Sequence, residues 1–415
     1  MHRKFQVRNN SICKRRRGDF IQGEKTENTT PTTDFLLTSA LIKDNLYHKY
    51  LEQRNLRRAQ VLKKGSQPIM DYYDEFYTAT VTVGTPGQNV SLLLDTSMSI
   101  LWVIDAKCGT GACNGYLGSV YTRRKYNASK SSTVSPYRNT TNLLYPSGWL
   151  TGPVVKDTVS FAGLTIEQQG FVNAADISDA FGFMPLDGFL GLSWQQSSDV
   201  AKSPMENLLP SLDAPIFTVW LDRKLNVCTG GDGGLVTYGA IDTTNCESEI
   251  NYVALSAEGC WQFPMEGFSI GSFTQKEKQD AICDTSSSWI GAPFRVMNEV
   301  VSQTGALFDY ENEMYTVNCS TMMQQPDLEF IINGIKYTLP SKEYIVDIEL
   351  GEGKASALPQ HIYLCIAKCV LAFTAIDGAG YGAEWILGTP WIRTYCNIHD
   401  FGQARIGFAK AKHSE

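Results

Sequence analysis

The sequence predicts an all-β protein of two related lobes behind a basic, partly helical N-terminal segment. Three observations carry this. From Glu75 onward the chain is a succession of short runs rich in Val, Thr, Tyr and Phe, broken by Gly-Thr-Pro-Gly at 84–87, Pro-Ser-Gly at 146–148 and a glycine-rich turn at 230–234, the texture of strands separated by turns. The tripeptide Asp-Thr-Ser occurs twice, at 95–97 and 284–286, each time behind an apolar run and ahead of another serine and an aromatic. Downstream of each copy stands an apolar-apolar-Gly run, Phe189-Leu190-Gly191 and Ile386-Leu387-Gly388, at offsets of 96 and 104 residues from the aspartates. The body therefore reads as a duplication.

At 415 residues and 43% hydrophobic, the chain can bury a large core, and at about 150 residues per domain it makes two or three units. We place them at 1–70, 71–247 and 248–415, with the boundary between the lobes falling between Trp220 and Asn251. Residues 1–70 hold 15 Lys/Arg against 6 Asp/Glu, leaving 21 against 37 for the rest. A basic front piece thus faces an acidic body, which would repel nucleic-acid phosphates and excludes that class of partner. Within the front piece, residues 41–64 carry Leu41, Leu46, Tyr47, Tyr50 and Leu51 at helical spacing and predict a helix. Met1 to Phe20 is polar and basic, with no apolar core of a signal peptide. Lys14–Arg17 is read as a processing site or an accident of composition rather than a nuclear address. No stretch is long and apolar enough to span a bilayer.

Helical patterns in the body are few, the better ones being Pro204–Leu209 and Pro293–Gly305. Ala355–Lys368 looks inserted, since removing it brings the second offset to 90, nearer the first. Gly378–Gly382 lacks the strand-loop-helix setting of a phosphate loop and reads as a plain loop. Eleven cysteines and Asn-x-Ser/Thr sites at Asn28, Asn89, Asn127, Asn139 and Asn318 fit an oxidising, glycosylating compartment, lysosomal or extracellular. Cys108 and Cys113 can close one small loop, and Cys319 a longer one with Cys369 or Cys365; removing the insertion favours Cys369. No paired Cys/His zinc pattern occurs, and no metal or cofactor is implied.

Two symmetry-related turns, each ending a buried strand, would bring Asp95 and Asp284 together where the lobes meet. Two like charges a few Å apart cannot both ionise cheaply, so one proton is shared. The ionised member can then take a proton from water while its partner donates to a carbonyl, which is general acid-base attack on an amide without a covalent intermediate. The Thr96 and Thr285 hydroxyls are placed to hydrogen-bond across the interface. A single Asp-Thr-Ser is usually only a turn or a helix cap; its duplication in matching contexts is what raises it to a candidate site.

With Leu101-Trp102-Val103, Cys108-x4-Cys113, Leu186 to Gly191, Trp385 to Gly388, Ile392-Arg393 and Tyr395 added, the chain from about Asp71 onward resembles the pepsin and cathepsin D family of aspartic proteases. The resemblance implies a bilobal β fold with the cleft between the lobes, and Asp95 and Asp284 as the catalytic pair. It also implies Tyr145 as the tyrosine of a hairpin that closes over substrate. Polypeptides would be the substrates, the molecule would be a monomer, and the basic front piece would be a propeptide that inhibits the cleft until acid protonates its carboxylate partners.

The chain departs from that pattern at the turns. The family's Asp-Thr-Gly or Asp-Ser-Gly becomes Asp-Thr-Ser twice, so Ser97 and Ser286 stand where glycine gives close approach. Crowding by two hydroxymethyl groups is expected to displace the pair, and about 1 Å of displacement costs on the order of 100-fold in rate. If so, returning both to glycine raises turnover. Met98 replaces a small hydroxyl residue that bonds the first aspartate, whereas Ser287 keeps one for the second. Thr389 replaces an Asp, and Cys283 sets a thiol beside Asp284. The alternative to an endopeptidase is an impaired relative that binds peptides without turnover.

Overall fold

The structure, a computed structural model, describes residues 65–72, 74–116, 121–145, 147–195, 200–223, 231–257, 259–350, 368–376 and 383–413. The helix expected at 41–64, Cys365, Lys14–Arg17, the 378–382 loop and all of the 355–368 insertion but Lys368 lie outside them. Among the described residues strands dominate, and the fold is the bilobal β arrangement of pepsin-like proteins.

Each half repeats one pattern. The strand Gln88–Asp95 runs parallel to Gly188–Gly191, which is antiparallel to Leu101–Ile104, which is in turn parallel to Leu164–Ala174. In the second half Gln279–Cys283 runs parallel to Trp385–Leu387, which is antiparallel to Ile290–Pro293, itself parallel to Phe373–Ile376. Leu92, Leu93 and Leu94 are all buried, because this strand lies inside the sheet, between antiparallel Phe76–Val83 and parallel Gly188–Gly191, and is covered on both faces, so alternation disappears.

The apolar-apolar-Gly runs have a steric reason. A Cβ on Gly191 would stand 2.4 Å from the Ser99 carbonyl carbon, and one on Gly388 would stand 2.2 Å from the Trp289 carbonyl oxygen. Only glycine lets the chain leaving each aspartate turn cross this close.

The halves join in one sheet. Ile216–Leu221 pairs on one side with Gly231–Tyr238 and on the other with Tyr395–Asp400 from the C-terminal half. The sheet also takes in Ser66–Tyr72, so the β body already includes residues 66–70, which the sequence assigns to the basic front piece. A long hairpin, Ser135–Tyr145 with Gly148–Phe161, brings Tyr145 to its tip opposite Gly148. The expected helix near Pro293–Gly305 spans Phe294–Thr304; Pro293 caps its start and Gly305 ends it in the left-handed region at φ 64°. Pro204–Leu208 is helical and tightens into a 3₁₀ turn at Leu209–Ser211. The short helix Thr389–Thr394 follows Gly388 directly; six residues are too few to show a helical period.

Disulfides close Cys108–Cys113, Cys319–Cys369 and Cys246–Cys396. The third spans 150 residues, and no spacing argument reaches it. Among the described residues no helix is long and apolar enough to cross a membrane.

Candidate active site

Asp95 is the last residue of its strand, and Asp284 immediately follows Cys283, the last residue of the matching one. The threonines lock the turns together. Thr96 Oγ1 donates to the Cys283 carbonyl (2.8 Å) and accepts from the Thr285 amide (3.1 Å). Thr285 Oγ1 reciprocates, donating to the Leu94 carbonyl (2.7 Å) and accepting from the Thr96 amide (3.1 Å). These four bonds are buried, and each residue supplies donor and acceptor to the other half. A buried bond contributes about 1 kcal/mol net, but leaving its partner unpaired costs about 1 to 3 kcal/mol. The network therefore fixes the relative position of the two carboxyl groups more firmly than its net energy suggests.

Both aspartates are buried. Burial first, and then the charge of Asp284, push the Asp95 carboxyl up to about 7. Asp284 is also raised by burial. Hydrogen bonds to the ionised forms oppose this on both sides.

Those bonds come largely from the serines. Asp95 Oδ1 accepts from the Ser97 amide (2.9 Å), the Ser97 hydroxyl (2.7 Å) and the Met98 amide (3.1 Å). Asp284 Oδ1 accepts from the Ser286 amide (2.8 Å) and hydroxyl (2.7 Å). Neither serine has a positive φ, so neither turn demands glycine's conformational freedom. The crowding expected from the sequence is replaced by contact: each hydroxymethyl group folds back onto its own aspartate. Ser287 does not serve Asp284 as expected. Its hydroxyl donates to the Trp289 carbonyl (3.2 Å), while Ser286 supplies the hydroxyl that reaches Asp284.

Trp102 lies in register with Phe189, and their rings stack at 5.2 Å between centroids. The Tyr145 ring packs on the same cluster, 5.3 Å from Phe189 and 5.9 Å from Phe181. The hairpin tip is thus seated on the strand that lies between the first turn and its following strand. Thr389, in place of the expected Asp, donates to the Ser288 carbonyl (3.0 Å) and accepts from Arg393 (3.2 Å).

Several contributors had no role in the sequence reading, although Asp187 and Arg393 stand in the motifs quoted there. Ser288 Oγ donates to the Glu75 carbonyl (3.0 Å), a second tie between the halves. Arg393 is fully buried, pairs with Glu343 at 3.1 Å and donates to the carbonyl of Asp74. Asp187 takes the Ser91 and Arg124 amides and the Tyr121 hydroxyl, which anchors the strand start beside Gly188. Only the unusual Arg within an apolar run at 390–393 was a signal. Two trios of metal-ligand type occur among the described residues, Cys108, Cys113 and Asp176 and also Cys319, Asp347 and Cys369; in each, both sulfurs are spent in a disulfide.

Residues 76–411 match the family model described as eukaryotic aspartyl protease. The chain belongs to that family. It is 45% identical to aspartic protease 1 of Caenorhabditis elegans over 91% of this chain and 92% of that protein. It is equally identical, 45%, to aspartic protease 17 of the same organism over 91% and 93%, and 31% identical to cathepsin D of Dictyostelium discoideum over 86% and 90%. The match takes in both turns, both glycine-ended strands and the Tyr145 hairpin of this aspartyl protease family member.

Proposed function

We propose that the protein is an aspartic endopeptidase that hydrolyses polypeptides in acid through the Asp95–Asp284 pair. The observation that carries this reading is the reciprocal Thr96–Thr285 network, which holds two buried carboxyl groups of raised proton affinity on mirrored turns. Burial and like charge leave the pair holding one proton in acid. The ionised carboxyl takes a proton from water as that water attacks the peptide carbonyl; the protonated one donates to the carbonyl oxygen. Tyr145, at the tip of a hairpin, closes over the bound chain and excludes water. Each residue retains this role only while the turns stay locked, so the threonines position the chemistry rather than perform it.

The basic N-terminal segment is an intramolecular inhibitor of the acidic cleft, released when acid protonates the carboxylates it pairs with. Three disulfides support a route through the secretory pathway, with a lysosome or the exterior as destination. The protein acts as a monomer. The mass of the mature N-terminus tests propeptide removal.

The activity is tested by cleavage of a denatured protein at about pH 3 to 5, with acid-activated material and a statine-type transition-state inhibitor. Inhibitor-sensitive cleavage that disappears in Asp95→Asn and in Asp284→Asn supports the reading. Tight inhibitor binding without turnover in the wild-type protein overturns it in favour of a peptide-binding relative.

A further inference from the structure

We propose that Ser97 and Ser286 are a matched pair of positioning residues, whose hydroxyls fix Oδ1 of each aspartate as a permanent acceptor and confine the shared proton to the Oδ2 atoms. The inference rests on the endopeptidase reading above and assigns the serines the opposite role to the impairment their sequence positions suggest.

Donor geometry carries the argument. Asp95 Oδ1 faces three donors, the Ser97 amide, the Ser97 hydroxyl and the Met98 amide, all within 3.1 Å. A proton on that oxygen would point into N–H and O–H groups already aimed at it, so protonation there is unfavourable. Asp284 Oδ1 is held by the Ser286 amide and hydroxyl in the same way. Asp95 Oδ2, by contrast, is buried and accepts no hydrogen bond among the described residues. It is the oxygen left to carry a proton or meet a water.

The pattern is too symmetrical for incidental contact. Both hydroxyls reach their own aspartate, two residues back, at 2.7 Å, and both serines are only half-buried. Backbone amides supply part of this grip whatever the side chain; the hydroxyls add one donor to each carboxylate. In the second turn this matters more, because Asp95 Oδ1 keeps the Met98 amide as a further donor whereas the Ser287 amide and hydroxyl bond elsewhere.

Among the described residues, the titratable groups facing the pair are the two carboxyls themselves and the Cys283 thiol, which burial pushes up so that it stays neutral. Glu75 approaches the second turn through its backbone carbonyl, and burial together with the Asp74 charge raises its carboxyl to about 7. The serine hydroxyls bond the two aspartates and neither Cys283 nor Glu75, so a changed titration of the pair reports the hydroxyls.

The test compares wild type with S97A/S286A, S97G/S286G and S97T/S286T, using acid-activated protein. A donor to an ionised carboxylate favours the charged form, so its loss raises the pair's apparent pKa values by about one unit. The bell-shaped profile of kcat/KM then moves upward by about one pH unit in the alanine and glycine variants. On its acid limb activity falls about tenfold, and threonine, which keeps the hydroxyl, restores the wild-type profile. The second readout needs no turnover: titration of ¹³C-labelled aspartate carboxyls by NMR, with Asp95→Asn and Asp284→Asn used for assignment.

Titrations that rise in alanine and glycine variants and return with threonine support the proposal. They do so even if the wild-type protein cleaves nothing, in which case only the hydrolytic reading falls. Unmoved titrations overturn it, as does a glycine variant with higher turnover at low pH. Should a double variant fail to fold, S97A and S286A singly make the same prediction for one carboxyl each.

Discussion

The two aspartate turns share backbone topology and sequence motif but use the position three residues after the aspartate differently. In the first turn the Met98 amide donates to the Asp95 carboxylate (3.1 Å). In the second the Ser287 amide bonds back to the main-chain carbonyl of Asp284 (3.3 Å), and the Ser287 hydroxyl turns to Trp289. Asp95 Oδ1 therefore holds three donors and Asp284 Oδ1 two. The repeated strand pattern sets the frame, while local hydrogen bonding makes the two carboxyls inequivalent, as acid-base chemistry by a pair requires.

The largest effect should come from the carboxyls. Asp95→Asn or Asp284→Asn is expected to lower kcat by at least about a thousandfold, since general acid-base catalysis contributes about 10² to 10⁴ and both roles need the pair. A loss confined to one aspartate in peptide-cleavage assays would break the symmetry of the comparison.

Next come the glycines behind each turn. Gly191→Ala and Gly388→Ala each place a Cβ against backbone and should destabilise by about 3 kcal/mol, seen as a lower denaturation midpoint. If only one does so, the halves are not packed equivalently.

Thr96→Val and Thr285→Val sharpen the comparison further. Each removes one hydroxyl and leaves an amide and a carbonyl of the other half unpaired, at an expected cost of about 2 kcal/mol. The double variant should cost less than the sum of the two, because the bonds are reciprocal.

The smallest effect separates the pH response of the turns from that of the fold. His399 is buried against Phe217 and Trp261, with its ring pushed down to about 3 by burial. Its folded value lies below the unfolded value of about 6.5, so the unfolded chain binds a proton that the native state does not. Stability is whole above pH 6.5 and falls as pH drops towards 3. His399→Phe should flatten that slope and raise stability relative to wild type by about 1 kcal/mol at pH 5.5, measured by denaturant titration across pH, with the activity bell unmoved.

Much of the fold was legible because its signals are local. Runs such as Leu92–Leu94 announce strands covered on both faces, Pro293 and Gly305 mark the ends of one helix, and the paired Asp-Thr-Ser and Leu-Gly signatures expose the duplication. What sits near in sequence, like Cys108 and Cys113, could be paired by spacing. The glycine signatures were visible without their reason, the close chain crossing behind each turn.

The chain by itself determined that there are two buried strands ending in carboxylates, and that a repeated β body presents them. Tertiary structure alone decided which groups grip those carboxylates. Whether Ser286 or Ser287 reaches Asp284 is a choice of side-chain rotamer made once Trp289 and Gly388 are packed nearby. The Ser288–Glu75 tie and the Cys246–Cys396 bridge join segments some 150 residues or more apart; the Thr96–Thr285 lock is as distant in sequence but was legible from the repeated motif. A sequence pattern encodes the periodicity of its own segment; partners brought together only by chain closure leave no mark within it.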